Sequence, residues 1–133
     1  MIVVDASALA DALLDDGPMG AAARAALAVD PHWAAPAHLL VEVVSVIRGK
    51  VLGGKLGLDR ANEAVAALAE LVIDQVDIFQ LVDRIWQLRG NLTAYDVGYV
   101  AAAEALECPL VTGDGRLAKA GGLRCEIRVI SAH

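Results

Sequence analysis

The stretch that decides the fold is Met1-Ile2-Val3-Val4-Asp5-Ala6-Ser7-Ala8-Leu9. An apolar run that ends in a carboxylate and continues into an Ala/Leu-rich pattern is typical of a buried parallel strand followed by a helix. The stretch therefore predicts that Asp5 lies at the carboxyl edge of a sheet, where open α/β sheets place their ligands. An acid there either caps the next helix, accepting from amides near Ser7, or is the first ligand of a metal site. Taken alone, the stretch favours the cap.

Length and composition predict a single domain, residues 1–133, with an aliphatic core. Of the 133 residues, 57% are hydrophobic but only 4% are aromatic. Uncharged stretches such as residues 31–41 are far shorter than the about 20 apolar residues that a membrane-spanning helix needs. The first residues also lack the basic leader and cleavage site of a signal peptide. We therefore expect a cytoplasmic protein that has no membrane partner.

Cysteine and histidine offer no recognisable metal or redox motif. Cys108 and Cys125 lack zinc-ligand spacing and are expected to be buried free thiols. His32, His38 and His133 show no paired-histidine spacing. A zinc site is therefore not expected.

The overall charge argues against a generic polyanion binder. Eleven Lys and Arg residues stand against 17 Asp and Glu, which gives a net charge of −6. Arg48, Lys50 and Lys55 cluster in a glycine-rich segment, residues 48–58, which we expect to be the loosest part of the chain. The cluster is either a local basic patch or a solvated loop, and its role stays open.

Strand-like segments alternate with helical patterns along the whole chain, which predicts a parallel sheet built from βαβ units. The predicted strands are residues 1–4, 32–35, 76–79, 109–112 and 127–130. The predicted helices are residues 7–15, 18–29, 36–50, 59–72 with Asp59 as cap, 81–88, a helix that ends at 106, and 114–120.

Four acids occupy positions where an α/β fold places functional groups. Asp5 and Asp114 each follow a predicted strand, and Asp96 lies in the first turn of a predicted helix. Helix capping also accounts for Asp114, and Thr93 with Asp96 fits a capping box. Glu42 lies in an apolar helix, where an unpaired buried carboxylate is costly. A shared cation would satisfy all four acids.

An all-oxygen ligand set selects a hard cation that keeps several waters, which favours Mg²⁺ or Mn²⁺. Such an ion activates a water as a nucleophile and stabilises the charge that develops on a phosphodiester. Ser7 and Thr112 lie two residues from Asp5 and Asp114, so their hydroxyls either orient a ligand or cap locally.

The four acids lie in distinctive local motifs: Asp5 in Val-Val-Asp-Ala-Ser-Ala-Leu, Glu42 in the third helix, Asp96 in Leu-Thr-Ala-Tyr-Asp-Val-Gly-Tyr-Val-Ala-Ala-Ala-Glu, and Asp114 in Leu-Val-Thr-Gly-Asp-Gly-Arg-Leu. These motifs resemble those of the PIN-domain family, and most closely of its VapC-type toxins. The resemblance covers nearly the whole chain. It implies a three-layer α/β/α fold with a central parallel sheet of four to five strands.

The resemblance also implies a function. It implies an endoribonuclease, dependent on Mg²⁺ with Mn²⁺ as a substitute, that forms a homodimer and is inhibited by a small VapB-type antitoxin. The quartet Asp5, Glu42, Asp96 and Asp114 would be catalytic, and all but Glu42 would bind metal. Ser7 or Thr112 would organise the site, and Arg116 would meet phosphate.

Two departures from the family pattern concern glycines. Gly113 and Gly115 flank Asp114 and are expected to loosen its loop. Gly98 lies inside a helix, at a cost of about 1 kcal/mol relative to Ala unless close packing requires it.

Other phosphate-handling classes fit the sequence less well. A phosphatase of the haloacid dehalogenase class needs an acid where Ser7 stands, and a receiver domain needs a Lys after a late strand. Two alternatives stay open: a PIN-domain nuclease in RNA maturation or decay, and a non-catalytic RNA-binding or interaction module.

Overall fold

The computed structural model describes residues 1–132; His133 lies outside the described residues. It contains a five-stranded sheet in the order β3-β2-β1-β4-β5, with every neighbouring pair parallel. The strands are β1 Ile2–Val4, β2 Trp33–Pro36, β3 Ile73–Val76, β4 Leu110–Thr112 and β5 Ile127–Val129.

The helices that connect these strands are α1 Ala6–Leu14, α2 Pro18–Ala28, α3 His38–Leu52, α4 Leu58–Glu70, α5 Val82–Gln87, α6 Ala94–Leu106 and α7 Arg116–Lys119, with a 3₁₀ turn at Ile78–Leu81. The chain steps from β1 to β3 through α1–α4 and then returns across the sheet to β4 through α5 and α6. Because parallel crossovers are right-handed, these opposite directions place the two helix groups on opposite faces of the sheet. The expected three-layer α/β/α fold is confirmed.

The middle of the sheet forms the core. All three residues of β1 and all three of β4 are buried, whereas β3 and β5, at the edges, are largely accessible. Continuous apolar strands are typical of a parallel sheet covered on both faces. The two cysteines are free thiols, half-buried rather than fully buried.

The third strand lies three residues earlier than the sequence predicts. Ile73–Val76 pairs with β2, whereas the segment predicted as strand contains Asp77, whose carboxylate accepts from the Phe79 amide at 3.0 Å and begins the 3₁₀ turn. The prediction was wrong because Asp74 and Gln75 make the true edge strand look polar.

Three helix boundaries also differ from the prediction. Pro36 ends β2 instead of opening a helix, and α3 ends at Leu52, two residues beyond the predicted end at Lys50. The glycine-rich segment is therefore partly helical, and Gly54, with φ of +71°, lies in the turn that follows. Gly57, not Asp59, caps α4; Asp59 lies in its first turn.

Candidate active site

Two central strands end at one edge of the sheet and bring the first and last predicted acids together. Val4 of β1 is in register with Val111 of β4, and the Asp5 amide donates to the Val111 carbonyl at 3.3 Å. Asp5 and the segment after Thr112 therefore share the carboxyl edge of the sheet, as parallel pairing requires.

Asp5 is a buried carboxylate held by three donors. Its side chain caps α1, where Oδ1 accepts from the Ala8 amide at 3.0 Å and from the Ser7 hydroxyl at 2.7 Å. The Thr112 hydroxyl donates to Oδ2. A carboxylate has about four lone-pair sites, so these bonds leave one site on Oδ2. The cap expected from the sequence is present, and the carboxylate keeps the capacity to bind one more group.

Burial disfavours the ionised form of the Asp5 carboxyl. Only 4% of the residue is exposed, and this desolvation raises the pKa of the Asp5 carboxyl. The nearby charge of Asp96 raises the pKa further, whereas the hydrogen bonds from Thr112, Ala8 and Ser7 only partly offset the rise. Ser7 and Thr112 therefore stabilise the ionised form, since both hydroxyls donate to it.

Asp96 stands free at the same edge. It lies in the first turn of α6, where its amide donates to the Thr93 hydroxyl at 3.3 Å. Within residues 1–132, no side chain forms a hydrogen bond or salt bridge with the Asp96 carboxylate. The charge of Asp96 contributes to the raised pKa of the Asp5 carboxyl, so the two carboxylates repel each other, while only Asp5 is bonded to protein groups.

Glu42 reaches the site through Tyr99, which the sequence reasoning missed. The Tyr99 hydroxyl donates to Glu42 Oε1 at 2.6 Å, and Tyr99 is only 1% exposed. Burial, followed by this hydrogen bond to a carboxylate, raises the pKa of the Tyr99 hydroxyl, so it remains a donor. Partial exposure to solvent and the hydrogen bond from Tyr99 thus offset the desolvation of the Glu42 carboxylate. The available signal in the sequence was a tyrosine within an apolar helical segment, three residues after Asp96. A tyrosine that is buried in such a segment needs a hydrogen-bond partner for its hydroxyl.

His38 packs against Tyr99 and Glu42. Its Nε2 lies 3.1 Å from the Tyr95 carbonyl and so donates to it, and lies 3.6 Å from Glu42 Oε1. Its ring packs edge-on against Tyr99, with centroids 4.8 Å apart. The imidazole therefore ties α3 to the first turn of α6.

Gly98 is required by this packing. A Cβ at Gly98 would lie 2.5 Å from His38 Cε1. We therefore predict that Gly98→Ala lowers the free energy of unfolding by about 1–3 kcal/mol, because overpacking outweighs the gain in helix propensity. Gly49→Ala in α3 is the control: its Cβ would meet nothing within 4 Å, so the variant should be as stable as wild type or up to about 1 kcal/mol more stable. Urea unfolding measures both, and equal stability of the two variants would contradict the packing.

Asp114 is paired with Arg116. The Arg116 Nε lies 3.0 Å from Asp114 Oδ1, Nη2 lies 2.6 Å from Oδ2, and the Arg116 amide donates to Oδ1. Hydrogen bonds from this guanidinium lower the pKa of the Asp114 carboxyl. Arg116, expected from the resemblance to meet phosphate, here binds the neighbouring acid.

The loop before Asp114 is better anchored than its glycines suggest. The Gly113 amide donates to the Ser7 hydroxyl at 2.9 Å, and the Asp114 amide donates to the Thr112 hydroxyl at 3.0 Å. A Cβ at Gly113 would lie 3.2 Å from Asp11 Oδ2 and 3.3 Å from Ser7 Oγ, so a side chain there would crowd the site.

Asp11 is a fifth acid that the sequence reasoning did not select. It follows Ser7 by one helical turn and lies beside Gly113. Partial burial, and then the charge of Asp15, raise the pKa of the Asp11 carboxyl. Its position on the Ser7 face of α1 was the available signal.

The acidic side chains lie at the same edge of the sheet but do not converge on a single metal position. In the part of the chain that the structure describes, no three His, Cys, Asp or Glu side chains form a group that would hold a metal by themselves. Glu42 is turned to Tyr99 and Asp114 to Arg116. An ion bound here would take a few carboxylate oxygens, those of Asp5 and Asp96 first, and complete its coordination with water, as Mg²⁺ usually does.

Together, the sheet order and this edge define an α/β protein with an acidic, partly solvated site at the carboxyl ends of its central strands. No helix within residues 1–132 has the length and apolar character needed to cross a bilayer.

Comparisons with known proteins identify the family. The sequence matches the PIN domain over residues 2–123. It is 40% identical to VapC ribonuclease Mb0985 of Mycobacterium bovis over 130 residues, which are 98% of each chain. It is 41% identical to Ribonuclease VapC1 of Mycobacterium tuberculosis over 129 residues, which are 96% of each chain.

Solved structures show the same fold. The crystal structure of Mycobacterium tuberculosis VapC20, a sarcin-ricin loop cleaving toxin, superposes with a TM-score of 0.67 at 18% identity, covering 93% of this chain and 97% of that one. PAE2754 from Pyrobaculum aerophilum gives 0.64 at 23% identity, covering 93% and 89%. The chain belongs to the PIN-domain family and is of the VapC type, as its motifs indicated.

Proposed function

We propose that this chain is a metal-dependent endoribonuclease that hydrolyses RNA phosphodiester bonds, and that it is the toxin of a VapBC-type pair. Relatives named VapC ribonucleases match it over nearly its full length. The observation that carries the proposal is the pair Asp5 and Asp96: a buried carboxylate and an unbonded one repel each other at the sheet edge, with no cation of residues 1–132 bonded to either.

The donor set fits Mg²⁺, with Mn²⁺ as a substitute. Asp5 offers the remaining site on Oδ2, Asp96 offers a whole carboxylate, and Asp114 offers one after releasing Arg116. These are hard oxygen ligands from few side chains, the type of site that Mg²⁺ uses. When bound, the ion supplies Lewis acidity, which lowers the pKa of water and offsets negative charge that develops at phosphorus.

The protein groups supply position and charge. Ser7 and Thr112 hold the Asp5 carboxylate in one orientation, and Tyr99 holds Glu42 Oε1 while Oε2 remains available as a proton acceptor. Arg116, once released from Asp114, would contact a phosphate oxygen; its side chain is 83% exposed. The site thus has separate groups for binding metal, accepting a proton and contacting phosphate.

Cleavage of single-stranded RNA by purified protein tests the proposal. We expect internal cuts in Mg²⁺ or Mn²⁺ and none in EDTA, with activity restored when Mg²⁺ exceeds the chelator. Undiminished cutting in EDTA would contradict the metal dependence, and no cutting in either metal would contradict the nuclease itself.

The toxin assignment adds a small VapB-type antitoxin as partner, acting in the cytoplasm. If the assignment is correct, expression of the chain should arrest growth, and co-expression of the small protein encoded beside it should relieve the arrest. Growth that is unaffected by an active protein would instead favour RNA maturation or decay.

We also propose that the chain forms a homodimer. The sequence predicts dimer and antitoxin contacts on apolar helix surface left over from the core, such as the region of Trp86 or the Ala-rich second helix. The structure also exposes apolar side chains along α3, with Val41 71% and Val44 45% exposed. Exposed apolar surface of this kind is typical of an interface. Light scattering should give twice the 13.8 kDa chain mass; the single mass would contradict a dimer.

A further inference from the structure

A cleft beside Asp96 contains cations that the proposed hydrolysis does not use. It has a volume of about 720 Å³ and is lined by residues 89–93, by Asp96 and Asp114, and by the α7 side chains Arg116 and Lys119. The cleft thus continues from the acidic edge towards α5 and the loop before α6.

Hydrogen bonds fix the two sides of this cleft relative to each other. Asn91 Nδ2 donates to the Gly121 carbonyl at 2.7 Å, and Arg84 Nη2 donates to the Gly122 carbonyl at 2.7 Å. Arg84 is itself held by two bonds to Glu104, at 2.7 and 3.0 Å. The backbone segments that carry the cationic side chains are therefore held in place relative to each other.

Arg89 and Lys119 are available for an anion. Among residues 1–132, no carboxylate lies within salt-bridge distance of either side chain, in contrast to Arg116. The Arg89 guanidinium lies over the Trp86 ring, 4.4 Å from its centroid, and Nη1 donates to the Trp86 carbonyl at 2.9 Å. Trp86 thus holds Arg89 in place before any ligand arrives.

One exposed aromatic ring accompanies these cations. The chain has only five Phe, Trp and Tyr residues, yet Trp86, which contacts Arg89, is 66% exposed. Folding gains little from rings in such positions, whereas aromatic faces beside a cationic groove are the usual platform for unstacked bases.

We infer that Arg89 and Lys119 contact phosphates of the RNA in this cleft and that Trp86, beside Arg89, stacks on one of its unpaired bases. The inference rests on the proposed function for the identity of the polymer. A duplex keeps its bases stacked inside and presents none to the Trp86 ring, so the cleft should discriminate against double-stranded RNA.

Binding in EDTA tests the inference without cleavage. The probe is a fluorescein-labelled 12-nucleotide RNA of mixed sequence, alone or annealed to its complement, titrated with full-length protein by anisotropy at several salt concentrations. The variants are Arg89→Ala, Lys119→Ala, Trp86→Ala and Trp86→Phe. Arg48→Ala is the matched control, because it removes one exposed positive charge from α3, outside the cleft.

We expect wild type to bind the single strand more tightly than the duplex. Arg89→Ala and Lys119→Ala should each weaken binding and reduce the slope of log K against log salt by about 0.7. Trp86→Ala should weaken binding about tenfold, with most of the loss recovered in Trp86→Phe. Arg48→Ala should bind as wild type does.

Two results would overturn the inference: equal affinity for single strand and duplex, or cleft variants that bind as tightly as Arg48→Ala. The latter result would point to a protein partner for Trp86. Protein that binds RNA through these residues but never cuts it in Mg²⁺ would contradict the proposed function alone. Protein that cuts RNA while every cleft variant binds normally would contradict the inference alone.

Discussion

Asp96→Asn is expected to lower the rate of RNA cleavage by about a thousandfold or more while leaving the fold intact. The Asp96 carboxylate is the acid at the sheet edge that no described protein group bonds, so its charge serves the ligand rather than the structure. Loss of a metal ligand removes several kcal/mol of transition-state stabilisation, and about 4 kcal/mol corresponds to a thousandfold change in rate. Single-turnover cleavage in Mg²⁺ and urea unfolding measure the two effects.

Asp59→Asn is the matched control for Asp96→Asn. Asp59 also lies in the first turn of a helix, α4, so both substitutions remove a favourable interaction with a helix amino terminus. Both variants should unfold within about 0.5 kcal/mol of wild type. Equal cleavage by the two would contradict the role of Asp96.

Asp5→Asn is expected to abolish cleavage to a similar degree and to make the metal-free protein more stable at pH 7, by about 1 kcal/mol. The ionised Asp5 carboxylate is buried near the charge of Asp96, and a neutral amide of the same shape removes both penalties. The amide oxygen can still accept from Ser7 and Ala8, while its NH₂ donates to Thr112 after that hydroxyl rotates.

Asp77→Asn is the control that distinguishes the loss of the buried charge of Asp5 from the loss of a capping carboxylate. Asp77 accepts from the Phe79 amide at an exposed turn, so Asp77→Asn changes a cap with no buried charge and should alter neither activity nor stability appreciably. An Asp5→Asn protein that is less stable than wild type and still cuts RNA would show that the carboxylate serves only the fold.

Hydrophobic pattern predicted most of the architecture because the central strands are continuous apolar runs. β1 and β4 are buried throughout and were predicted at or within a residue of their true bounds. β3 was displaced because an edge strand hydrogen-bonds on one side only and tolerates Asp74 and Gln75. The carboxyl end of α3 lies two residues beyond the predicted end at Lys50, because the apolar Val51 and Leu52 continue the helix until Gly53, whose amide donates to the Gly49 carbonyl.

The site was predictable as far as backbone topology determines it. Asp5 and Asp114 follow neighbouring parallel strands, so their common edge follows from the sheet alone. The partners of Glu42 and Asp114 were not predictable in the same way. The Tyr99 bond depends on how α3 and α6 are rotated against each other, and the Arg116 bond depends on side-chain rotamers that a sequence pattern does not specify.

The most direct test of the central claim, that acids at the sheet edge hold a divalent cation, is the binding of Mn²⁺ followed by electron paramagnetic resonance. Wild type and Asp59→Asn should bind the ion equally, and Asp5→Asn and Asp96→Asn should each bind it at least about tenfold more weakly. Unchanged Mn²⁺ affinity in both edge variants would contradict the claim.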